Sequence, residues 1–213
     1  MKRIFALVIV LVMALSMVGC SDKVTDILNK EILNKELTRG TVDGNVYTSE
    51  YIGLSFVKPD SWVYSTDEEI NELMGATNDI MNRTDYEAAV ADLATVFDMM
   101  VIDSATSNNV NIVYENLALS GSTDITMEEY LDITKKNFEA IPDFSYTFSD
   151  ATNVTLGGVE FTKLECDLTY MELISMKQAL YMKKVGNYMV LISFTIIDGT
   201  DESVIEGYFT EIK

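Results

Sequence analysis

The chain has 213 residues, a formal net charge of −19, two cysteines and no histidine. The missing histidine removes Ser-His-Asp and Cys-His catalysis and the usual His-containing zinc sites. The acidity argues against nucleic acid, whose backbone is bound by clusters of Lys and Arg, and the length suits one domain with a sizeable core.

The N-terminus reads MKRIFALVIVLVMALSMVGC. Two cations, Lys2 and Arg3, precede an apolar run from Ile4 to about Leu15, and small or mid-sized residues then lead to Cys20. This is the layout of a secretory signal, and the run is near the short end for crossing about 30 Å of hydrocarbon. The final stretch, SMVGC, resembles the lipobox of bacterial lipoproteins. Gly19 matches the small residue before the cysteine, Val18 is tolerated, and Met17 departs from the usual leucine. The resemblance implies that the Cys20 thiol is acylated and residues 1–19 are removed, leaving the protein exported and anchored on the outer face of the cell membrane. Two or more acyl chains hold a soluble domain on a membrane where one binds only marginally. The alternative is an ordinary secretion signal with a chance cysteine. After cleavage the chain carries a charge of −21 and two arginines, Arg39 and Arg83. Such a chain is ill suited to an arginine-built phosphate site or to docking a basic face on anionic lipid.

Residues 20–45 read as a tether. They include a tandem repeat, ILNKEILNKEL, at 27–37. A five-residue period advances about 140° net on a helix, so Ile27, Leu28, Ile32, Leu33 and Leu37 scatter around the axis. The expectation is a marginal helix ending at RGTVDGN, with a partner-binding helix as the alternative. As a coil, the tether would span about 28 Å.

The globular part is expected over 46–213. In YIGLSFVKP, Ile52, Leu54 and Phe56 make one apolar strand face. Pro59 ends the strand, Asp60 and Ser61 turn the chain, and Trp62 covers the strand just completed. A helix capped by Ser65 or Thr66 follows, broken near Gly75, then a second at 85–94. TVFDMMVIDS and NVNIVYENLAL form a hairpin across ATSNN. The clearest helix spans 126–141, with a Thr126/Glu129 capping box, and Pro142 ends it. FSYTFS is a short strand, and Gly157-Gly158 turns the next segment into its second limb. There Leu164, Cys166, Leu168 and Tyr170 share a face, so Cys166 reads as a small core residue. KQALYMKKV and NYMVLISFTII flank a Gly186-Asn187 turn. The second of these is apolar nearly throughout, as in a central strand covered on both faces. A last helix runs from about Asp201 to Phe209. The fold expected is α+β: a mostly antiparallel sheet with helices on both faces, a three-layer α/β/α domain.

The opening segment, GLSFVKPDSW, resembles the signature near the start of PsbP-like domains, which share a fold with the Ran-binding release-factor family. Gly53, Phe56, Pro59 and Trp62 match its four positions. The resemblance implies an antiparallel sheet between helical layers and a non-catalytic binding or assembly module for a protein or envelope component.

No phosphate-binding glycine loop is present. The acidic spots DGTDE (198–202), TDEE (66–69) and MEE (127–129) stand at expected helix starts, where acids suit the local field, and none has calcium-loop spacing. No cofactor or metal is expected, and the methionines read as packing. Three functions stand open: the binding module, a lipid-tethered hydrolase using two carboxylates, and a small-ligand-binding lipoprotein.

Overall fold

A computed structural model describes residues 35–75, 80–81 and 83–212. The signal, Cys20 and the repeat up to residue 34 lie outside them. The first described residues differ from the expected tether: they are not helical, and Leu37 is 1% exposed. The Gly40 N–H donates to Asp98, and Arg39 reaches both Asp67 and the Met81 carbonyl. The segment from Leu37 to Gly40 therefore packs with the globular part ahead of Val46, because one apolar and one cationic anchor bind it to partners far along the chain.

The chain then makes strands β1 (Thr41–Asp43), β2 (Val46–Ser49) and β3 (Leu54–Val57), a short meander. Gly44 takes a left-handed φ of 57° in its first turn. After Pro59 the chain enters β4 (Trp62–Tyr64), which belongs to a different sheet. Helices α1 (Asp67–Leu73) and α2 (Tyr86–Val90) follow. In α1, Thr66 and Glu69 form the reciprocal capping box, and three acids fill the first turn. The second helix stops at Val90, short of the expected 94.

Strands β5 (Thr95–Asp103) and β6 (Asn109–Asn116) form the expected hairpin, with a bulge between Phe97 and Met99. Helix α3 (Met127–Glu139) carries the Thr126/Glu129 capping box. Then come β7 (Phe144–Phe148), β8 (Thr152–Leu156), β9 (Val159–Tyr170), β10 (Ile174–Val185) and β11 (Tyr188–Ile196). The chain ends in helix α4 (Glu202–Glu206), shorter than expected, and strand β12 (Phe209–Glu211).

All pairings are antiparallel. The larger sheet runs β4-β5-β6-β11-β10-β9-β7, with β8 also on β9; the smaller runs β1-β2-β3-β12. Every residue of β11 is buried, as the apolar run suggests. Its two internal hydroxyls are used: Ser193 accepts from Asn111, and Thr195 from Gln178.

In place of a purely helical layer on each face, α4 and the smaller sheet share the cover of one face of the larger sheet, and α3 covers the other. There α3 packs on β7, with Phe138 centred 5.4 Å from Tyr146 and Tyr130 donating to Glu115. The other face meets the smaller sheet: Phe209 stacks on Phe194 at 5.5 Å, and the Tyr51 hydroxyl donates to the Val185 carbonyl. Strands of three or four residues supply this layer because β12 returns beside β3, setting Phe209 opposite Phe56.

Candidate functional site

The four signature residues mark the passage between the sheets. Gly53 has a φ of 86°, open to glycine and costly for other residues. Phe56 is fully buried. The Pro59 carbonyl accepts from the Trp62 N–H, closing the turn that carries the chain from β3 to β4. The Trp62 ring, 6% exposed, lies 6.4 Å from Phe56 and 6.1 Å from Tyr208. These contacts give the segment a packing role.

A cleft among the described residues lies elsewhere. About 550 Å³ in volume, it is lined by Arg39, Tyr64, Asp67, Met81, Arg83 and Asp98, among others. This falls in the size range of small-molecule sites. Asp98 is buried at the β5 bulge and accepts from the Gly40 N–H at 3.0 Å and from the hydroxyls of Tyr47 and Tyr114. Burial raises its pKa above the usual carboxylate range, against the lowering effect of the three donors and of Arg39. Arg39 forks onto Asp67, and Arg83 onto Asp85. Arg39 and Arg83 thus line one cleft, each with a carboxylate partner. The sequence reading passed over Asp98; its signal was an acid inside the apolar run TVFDMMV.

A second group of charges gathers around α4. Lys163 lies 2.8 Å from both Glu165 and Glu202, and Lys177 reaches the same two acids. The Tyr181 hydroxyl lies 2.5 Å from carboxylate oxygens of Glu202 and Glu206. Burial pulls the Lys163 pKa down, but its bonds to Glu165 and Glu202 outweigh this and hold it above the lysine range. Glu202 comes from the acidic spot DGTDE, whereas Asp198 is bonded by Asn108 and Thr200. Each of these acids is tied to a neighbour and fastens α4 or its approach loop to the sheet. Among the described residues no three acids or thiols converge to hold a metal ion. Cys166 is buried, and burial pushes its thiol pKa up to about 12.

The third feature is apolar. The β9–β10 hairpin ends in Met171-Glu172-Leu173, and exposure reaches 51% at Met171, 84% at Leu173 and 41% at Ile174. Met171 and Glu172 are both left-handed, with φ of 49° and 60°. Such backbone costs a non-glycine residue about 1–2 kcal/mol. The turn is held by bonds from the Leu173 N–H to the Tyr170 carbonyl and from the Met171 N–H to the Asp143 carbonyl.

No family model and no curated protein matches the chain. Solved structures similar to it include PsbP (CyanoP) of the cyanobacterium Synechocystis sp. PCC 6803. The identity is 11% and the TM-score 0.46, over 81% of this chain and 98% of that one. Another is a Bacteroides thetaiotaomicron protein, at 13% identity and TM-score 0.43, covering 81% of this chain and 50% of that one. A third is LpqN, involved in cell envelope biogenesis of Mycobacterium tuberculosis, at 14% identity and TM-score 0.39, over 74% of this chain and 82% of that one. The first of these is a PsbP protein, the family that the Gly53–Trp62 signature resembles. Among the described residues no helix is long and apolar enough to cross a membrane.

Proposed function

We propose that the chain is an extracytoplasmic lipoprotein, held on the outer face of the membrane through Cys20. Its domain acts as a non-catalytic binding or assembly module for a protein or envelope component. The observation that carries this reading is the hairpin tip. Three large apolar side chains, Met171, Leu173 and Ile174, project from a turn built on two left-handed residues that are not glycine. Strain of this kind persists where the surroundings over-determine it and clusters at functional surfaces. The carboxylates gathered around Lys163 and Tyr181 are each bonded to a neighbour, which supports a fastening role for them.

The test is amine-reactive cross-linking on intact cells, followed by identification of neighbours. The same neighbour should recur across independent preparations. If none recurs, and a small molecule instead raises the melting temperature of the protein, the domain is a ligand receptor. The Arg39–Asp98 cleft is the specific feature that favours this second reading.

A further inference from the structure

The hairpin tip and the anchor end of the domain stand at opposite ends of the same strand. Lys35, the first described residue, donates to the Glu50 carbonyl and lies 5.9 Å from the centre of the Tyr51 ring. The Tyr51 hydroxyl in turn donates to the carbonyl of Val185, the last residue of β10. The first residue of β10 is Ile174, at the tip. Eleven residue steps at about 3.3 Å each separate the two by about 36 Å. Fifteen positions before Lys35 comes Cys20, so the chain toward the lipid leaves from the Val185 end.

Charge narrows the partner further. Residues 142–148 and 167–176, which form the tip and the edge beside it, contain Asp143, Asp167 and Glu172 and no cation; the neighbouring Lys177, across from Asp167, is paired with Glu165 and Glu202, and Lys135 lies over Phe148 at the far end of the edge strand. All three acids are exposed. An apolar tip with an acidic surround is complementary to an apolar pocket with a basic rim, because interfaces pair an apolar core with a polar, charge-matched margin. The same acids are repelled by an anionic lipid surface, and the net charge of −19 opposes pairing with a second copy.

Resting on the binding-module reading, we infer that residues 171–174 dock into an apolar pocket framed by Lys or Arg on another protein. That protein is engaged at the end of the domain away from the lipid anchor. Leu173 fills the pocket, and Asp143, Asp167 and Glu172 face its rim.

The experiment places a photo-cross-linking amino acid at position 171 of the full, lipidated protein on intact cells. The expected product is an adduct to one protein, with the cross-linked peptide mapping to apolar residues flanked by Lys or Arg. Its yield should fall about tenfold in Leu173→Asp, as for loss of an apolar anchor, and several-fold in Glu172→Lys. Both substitutions lie at exposed positions, and unchanged melting temperatures confirm that the variants fold. An adduct to lipid, an adduct to a second copy of the chain, or a yield indifferent to Leu173→Asp overturns the inference. If position 171 captures nothing while amine-reactive cross-linking still recovers a recurring neighbour, the tip assignment fails and the binding-module reading survives. If neither method captures a neighbour, both fail.

Discussion

Replacing Asp98 tests how the N-terminal segment is locked to the sheet. In Asp98→Ala three donors lose their acceptor: the Gly40 N–H and the hydroxyls of Tyr47 and Tyr114. Tyr114 keeps a neighbour, since its hydroxyl lies 3.3 Å from that of Ser49. The Tyr47 hydroxyl likewise keeps Ser49 and Tyr114 beside it, which leaves the Gly40 N–H as the stranded buried donor, at about 1–3 kcal/mol. A net loss of about 2 kcal/mol follows, or about 4–8 °C in Tm for a domain of this size. Tyr47→Phe removes one donor only and should cost about 1 kcal/mol. The pH dependence has a definite sign. Burial raises the Asp98 pKa in the folded state. Its contribution is therefore complete below the ordinary carboxylate range and is lost as pH rises through the folded value. Asp98→Asn, neutral at every pH, should flatten that part of the profile. Urea unfolding at pH 5 and pH 8 reads both quantities. A loss below about 1 kcal/mol in Asp98→Ala, or identical pH slopes for Asp98→Asn and the native protein, would refute the reasoning.

Trp62→Ala should cost about 3–5 kcal/mol in chemical denaturation, because the ring is buried between Phe56 and Tyr208; a loss below about 1 would mean the ring is not packed as described. Burial raises the pKa of Glu115 to about 7, against the lowering effect of the bond from Tyr130. Its contribution is full below about pH 4.5 and lost toward pH 7, so Glu115→Gln should flatten the melting temperature across that interval. Cys20→Ser should move the protein from the membrane to the soluble fraction; continued membrane attachment would refute acylation at that residue.

Local signals made the long elements legible. The unbroken apolar run of β11 reads as a doubly covered strand, the Thr126/Glu129 capping box announces its helix, and Ser65 or Thr66 marks the start of the first helix, where the structure selects Thr66. The segment at Leu37–Gly40 was not legible, because its partners Asp67 and Asp98 lie 28 and 58 positions away and nothing local marks the pairing. The smaller sheet was hidden for a similar reason. Strands as short as Thr41–Asp43 and Phe209–Glu211 have no period to detect and exist through β12 closing on β3. The hairpin tip is the opposite case. Tyr-Met-Glu-Leu-Ile looks like the continuation of a core strand, and only the turn at Met171 and Glu172 turns its apolar side chains outward.

The central claim is that this tip is covered by a protein in the cell, and a single thiol reads it out. Cys166 is buried, with its thiol pKa pushed up to about 12, so Met171→Cys, which leaves Leu173 in place, introduces the one reactive thiol among the described residues. Maleimide labelling should be slow in native membranes and become fast, by about tenfold or more, once the protein is purified away from its neighbours. Equal labelling rates in the two states would contradict the claim.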